Sequence, residues 1–230
     1  MKVACHQPCY LPWPGFFYKA LRADTLVLLD SVQLPRGTSW VTRNRIKTPA
    51  GQGWLTVPIR RKGMGLQRIV DVQIYSERDW QRTHLGSLAH AYKRSPFFED
   101  HSQLLEEVYG RTWERLADLN VFLARRLLEV LGISLDIRLS SDMDVNLTGT
   151  NLIVEICTRT NADTYTTMSA SRNYLDQDLF DRSGVRMDLY NFRCPVYPQP
   201  WGRFAPNLST VDMLFNCGPK TCGIIEKGGR

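Results

Sequence analysis

An imidazole, an amide, a phenol and a carboxylate stand near the start of the chain as His6, Gln7, Tyr10 and Asp30. The first three share the stretch CHQPCYLPWPG, and Asp30 closes the apolar run TLVLLD. A neutral imidazole near working pH suits a general base. A carboxylate could orient it or bind an amine, while the amide and the phenol could position an acceptor or stabilise an oxyanion. Pro8, Pro12 and Pro14 limit φ, and Gly15 permits close approach, so this loop reads as one held still. The bland alternative is that Tyr10 and Trp13 cover the core edge and His6 only satisfies local hydrogen bonds.

A second constellation is SWVTRNRIKTP, residues 39–49, where Arg43, Arg45 and Lys47 alternate with Asn44 and Ile46. On a strand the three cations share one face. Beside Trp40 they suit a phosphate, a carboxylate or a nucleobase, because guanidinium forks grip oxyanions in pairs. A charged, solvated edge strand has the same pattern. Further on, SASRNY (residues 169–174) lies between a strand and a helix, where hydroxyls and amides can hold an anion, but it lacks the glycines of a P-loop. Ser209 and Asp212 read as an N-cap and a first-turn acid of LSTVDMLFNCG. Cys217 has no evident base to activate it.

GxSxG, HExxH and GxGxxG are absent. The six cysteines form no CxxC pair, and the spacings of Cys5 to Cys9 and Cys217 to Cys222 are poor for zinc. No metal and no resident cofactor are expected, and the thiols are expected reduced.

The elements that must position these groups follow from periodicity. VACH reads as a strand, GFFYKALRAD as a helix, and TLVLLD as a central strand covered on both faces, so the first pair is parallel. GWLTVPI and the alternating RIVDVQI, Arg68 to Ile74, read as further strands. Residues 79–132 switch to helical period, with breaks at Ser95-Pro96 and Gly110 and with Thr112 as an N-cap, giving an inserted helical block or subdomain. ISLDIRLS, DTYTT and VRMDLYNF return to the sheet, with helices at NLIVEICTRTNA and YLDQDLF between them, and EKGGR is expected to fray. The expected fold is a single α/β domain over 1–230, with a mostly parallel sheet, flanking helices and the inserted helical block.

At 230 residues and 43 % hydrophobic composition the chain can bury a sizeable core. No window approaches a membrane span, and residues 1–15 lack a signal-peptide pattern, so a cytoplasmic protein is expected. The net charge of +6 favours anionic partners, with clusters at Arg43–Lys47 and Arg60–Lys62. It is thin for nucleic acid, and no RNA-binding signature accompanies it.

HQPCYLPWPGFFYKALRADTLVLLDSVQ, W-x-x-RNRIKTP, GWLTVPI and the closing YPQ…F…LSTVDMLFNCG together resemble the WbqC-like family of bacterial proteins. The resemblance spans nearly the whole chain and is most specific in the first sixty residues. It marks Gln7, Pro8, Tyr10, Pro12, Gly15, Asp30, Gln33, Trp40, Arg43, Asn44, Ile46 and Lys47. Near the end it marks Tyr197, Gln199, Phe204, Ser209, Asp212, Phe215, Asn216 and Gly218. It implies a role in surface-polysaccharide or specialised-metabolite biosynthesis, as an acyl or aminoacyl transferase acting on an amino sugar or related amine.

On that expectation His6 is the base and Asp30 its partner. Gln7, Tyr10, Gln33, Trp40, Arg43, Asn44, Lys47 and Gln199 bind a small-molecule substrate that is phosphorylated or carrier-linked, with an acyl-carrier protein as a candidate partner. Two alternatives stand beside it. One is a nucleotidyl or adenylyl transferase, though the second His of an HxGH motif is missing. The other is a non-catalytic module for an acidic carrier.

Overall fold

The computed structural model describes residues 1–77 and 79–229. Its centre is a five-stranded parallel sheet in the order β5-β2-β1-β6-β7. Strand β1 (Lys2–His6) lies beside β2 (Thr25–Leu28), with Val3 level with Thr25 and His6 level with Leu28. Helix α1 (Pro14–Leu21) joins them, with Pro14 in its first turn where a missing N–H costs nothing.

The continuous apolar runs are explained by burial on both faces. Ala4, Leu26 and Leu28 belong to one core cluster, whereas Val3, Cys5 and Val27 belong to the other. Beyond β2 lies β5 (Asp136–Leu139). The chain then crosses through α5 (Gly149–Arg159) to β6 (Thr164–Met168) on the far side of β1, and α6 (Gln177–Ser183) leads to the edge strand β7 (Arg186–Tyr190). Strand order therefore reverses at β1, the place where open parallel sheets bind ligands past their carboxyl ends.

Two expected strands are absent from this sheet. GWLTVPI supplies β4 (Gly51–Thr56), which pairs antiparallel with β3 (Arg43–Thr48) as a separate hairpin. RIVDVQI is no strand: Ile69–Asp71 form a 3-10 turn, and its neighbours make only isolated bridges, Gln33 to Arg68, Ile59 to Ile74 and Gln73 to Arg115. Its alternation reflects Ile69, Val72 and Ile74 reaching the core from an irregular segment.

The helical block comprises α2 (Trp80–Tyr92), α3 (Ser102–Tyr109) and α4 (Leu116–Val130). Asp79 caps α2 by accepting from the Arg82 amide at 3.3 Å. Helix α3 begins six residues after Pro96. The N-cap residue of α4 is Arg115 rather than Thr112, and it makes no side-chain cap. The block shares its core with α1, the hairpin and α7 (Thr210–Cys217). The last helix is α8 (Thr221–Glu226). The described part of the tail expected to fray is held instead, with Gly229 bridging Phe192 and the Arg193 amide donating to Gly228 O at 2.9 Å; Arg230 lies outside the described residues. No helix among the described residues is long and apolar enough to cross a membrane.

Candidate functional site

The loop after β1 is fixed through its carbonyls. The Asn120 amide, reaching from α4, donates to Pro8 O at 3.0 Å and to Val41 O at 2.8 Å. The Asn44 amide donates to Leu11 O at 2.6 Å and Tyr10 O at 3.4 Å, and the Thr210 N–H donates to Pro12 O at 2.9 Å. These bonds over-determine Leu11, whose φ of 44° is left-handed and costly for a residue with a Cβ. Trp13 folds over Gly15 so closely that a Cβ there would lie 2.2 Å from the indole.

His6 emerges from the end of β1 with its ring edge-on to Phe16 at 5.1 Å. Its Nδ1 lies 2.8 Å from Gln7 O, and a carbonyl only accepts, so Nδ1 carries the proton and Nε2 presents its lone pair. The Cys9 thiol also donates to Gln7 O, at 3.3 Å. Burial, seconded by the charge of Lys19, pushes the His6 imidazole down to about 3 despite the Gln7 carbonyl. Lys19 is itself buried, donates to Cys5 O at 2.9 Å, and is pushed down to about 8 by that burial. Burial lifts the Cys9 thiol up to about 12, so it is no thiolate at neutral pH.

A cavity of about 500 Å³ opens beside this imidazole. His6, Gln7, Cys9 and Trp13 form one wall, and Pro35, Thr38, Ser39 and Trp40 form the other. Arg45 and Asn207 complete it, joined by a guanidinium bond to the Asn207 carbonyl at 3.2 Å. Trp40 and Trp54 are tilted partners at 5.5 Å, each 45 % exposed. Arg43 stacks on Trp54 at 3.9 Å, and Arg45 lies 5.4 Å from Trp40 and 5.6 Å from Trp54, a favourable cation–π arrangement.

The other expected site residues lie elsewhere. Asp30 does not reach the imidazole: its carboxylate accepts from Ser140 Oγ at 3.0 Å and from the Ser141 amide and hydroxyl at 2.9 and 2.6 Å. Since His6 is level with Leu28, Asp30 stands further along, where β5 ends. Tyr10 is fully buried, its hydroxyl 2.8 Å from His84 Nδ1 and 2.7 Å from that of Tyr109. Asn44 is spent on the loop carbonyls. Gln33 is exposed and faces a different cavity, shared with Arg68 and Arg115.

Lys47 is on the strand face expected for it but is covered, its ammonium donating to Arg203 O and, at 3.4 Å, to Gln199 Oε1. Gln199 Nε2 donates to Asp212 at 3.0 Å, as do the Tyr92 and Tyr197 hydroxyls at 2.6 and 2.7 Å. Asp212 is thus a buried hub rather than an ordinary first-turn acid, with its carboxyl pushed up by burial against the pull of those donors. Ser209 caps α7 as expected, accepting from the Val211 amide at 3.4 Å. The hydroxyls of SASRNY are engaged locally, Ser169 with Tyr190 O and Ser171 with Thr167 and Tyr174.

Asn120 and the cavity residues Trp13, Ser39 and Asn207 were not singled out as site residues from the sequence. For Asn120 a signal existed: it falls on the apolar stripe of α4, between Leu116 and Leu123.

The molecule is thus a doubly wound α/β protein with a ligand-sized cavity where the central strand ends. The chain belongs to the WbqC-like protein family, whose model matches residues 7–224. It is similar to the uncharacterized protein Rv1507c of Mycobacterium tuberculosis, 32 % identical over 219 residues and covering 94 % of each chain. No solved structure matches it.

Proposed function

We propose that this protein is a small-molecule transferase that moves an acyl or aminoacyl group onto an amine such as an amino sugar. The pathway would be surface-polysaccharide or specialised-metabolite biosynthesis, and the acceptor would sit in the His6 cavity. One observation carries the reading: the His6 imidazole lines the cavity and has its Nδ1 proton committed to Gln7 O, which leaves Nε2 as its accepting atom. A neutral Nε2 can accept the proton of an amine as it attacks the carbonyl of an acyl thioester, and then pass it to the thiolate that departs as the C–S bond breaks, so that an amide and a free thiol are formed. With so low a pKa it is a weak base, suited to the acidified ammonium of a tetrahedral intermediate rather than to a free hydroxyl. Trp40 offers a face to the acceptor, and Arg45 supplies a positive charge beside it. Asp30 is then a brace for the β2 and β5 ends, and Lys47 and Gln199 hold the hairpin to α7.

The test is product formation by mass spectrometry from amino-sugar acceptors and acyl-thioester donors. His6→Ala is expected to lower kcat by about 10²- to 10⁴-fold with the acceptor KM changed by less than about threefold. A raised KM at unchanged kcat would make His6 a binding residue and sink the base assignment.

A further inference from the structure

Residues 31–68 hold eight of the 29 basic residues and none of the 23 acidic ones, so the rest of the chain is slightly acidic. Within this segment Arg36, Arg60, Arg61 and Lys62 are exposed, and none is ion-paired among the described residues. Three of them line a second cavity of about 720 Å³ with Pro58, Ile59 and Met64. Tyr75 and Glu77 close it, and the Glu77 carboxylate already accepts from the Tyr75 hydroxyl.

Arg61 also ties this cavity to the first one. Its guanidinium donates at 3.2 Å to Gly37 O, and Gly37 sits between Pro35 and Thr38 of the His6 cavity wall. Of the three cations that the sequence offered for phosphate, Lys47 is held in its buried network, Arg45 bonds Gln52 and the Asn207 carbonyl in the His6 cavity, and Arg43 lies on the Trp54 ring outside the lining of either cavity.

We infer that the Arg60–Arg61–Lys62 cavity seats the polyphosphate of the donor, with the group to be transferred lying across the Gly37 turn in the His6 cavity. Adjacent like charges repel, and a multiply charged anion relieves three of them at once where a carboxylate relieves one. Guanidinium forks and an ammonium are the donors that polyphosphates take. The word donor rests on the transferase reading, whereas the anion seat does not.

The probe is inorganic tripolyphosphate, titrated calorimetrically into the full-length protein without metal. Saturable binding of one per chain is expected, weakening as salt is raised. Arg60→Gln/Arg61→Gln/Lys62→Gln is expected to weaken it by about 10-fold or more, each lost bond being charge-assisted. A charge-matched control, Arg125→Gln/Arg172→Gln/Lys227→Gln, removes exposed cations elsewhere and should cost less than about twofold. Both variants are checked for a native melting transition.

No saturation with the wild type, or equal losses in the two triple variants, would overturn the seat. So would an oligouridylate that binds much more tightly than tripolyphosphate, which would make the face one for nucleic acid. His6→Ala should bind tripolyphosphate like the wild type. A failed transferase reading therefore shows in turnover alone and a failed seat in titration alone.

Discussion

Burial fixes protonation at two histidines before any ligand arrives. His6 is held down to about 3, and His84, packed between Trp80, Tyr10 and Tyr109, is held down to about 4 by burial against the Thr56 carbonyl. In the unfolded chain both return to about 6.5. Between that value and the native ones the unfolded state binds protons that the folded state refuses, so stability rises with pH across the window and is lost on acidification. A single such histidine contributes a slope of up to about 1.4 kcal/mol per pH unit in mid-window. His84→Gln keeps a polar partner for Tyr10 but removes the titration. Urea unfolding at several pH values between about 4.5 and 6 should therefore show a shallower acid dependence, by close to one histidine's share. An unchanged slope would mean that His84 takes its proton in the folded state.

At the scale of elements, what was legible in the sequence was whatever a single element decides. β1 and β2 announced themselves as buried on both faces, α4 by its leucine spacing, and the loop after β1 by its prolines. What was illegible depended on a distant partner. Lys47 alternates with Arg43 and Arg45 as a surface cation would, and only the arrival of Arg203 covers it. Asp30 stands near the end of the strand next to that of His6, yet a two-residue offset gives its carboxylate to Ser140 and Ser141 in the turn that follows β5. RIVDVQI has a strand's alternation but only isolated bridges to pair with.

Asn120 is the sharpest case, a polar residue on an apolar stripe whose two carbonyl partners lie 112 and 79 residues away. Asn120→Ala leaves both without a donor in a fully buried site, and each such orphan costs about 1–3 kcal/mol. A loss of about 2–4 kcal/mol in urea unfolding is expected. A loss below about 1 kcal/mol would show that the loop relaxes and is not braced by α4.

Across the whole molecule, the end of the chain returns to support its beginning. Helix α8 packs on α1, and Gly229 comes so close that a Cβ would fall 1.8 Å from the Tyr18 hydroxyl and 2.4 Å from its ring carbon. Tyr18 cannot swing aside freely, because its ring meets Tyr190 at 5.2 Å and Phe192 at 5.1 Å. The strain of a larger residue would pass into α1, which carries Phe16 against the His6 ring and buries Lys19 beneath it. Gly229→Ala is therefore expected to cost about 1–3 kcal/mol by overpacking. Gly223→Ala is the matched control: it lies inside α8 with nothing within 4 Å of its added Cβ. Helix propensity there predicts a gain of up to about 1 kcal/mol. Thermal melts of the two variants should move in opposite directions. If Gly229→Ala melts with the wild type, the tail is not clamped to α1 and the His6 wall does not depend on the far end of the chain.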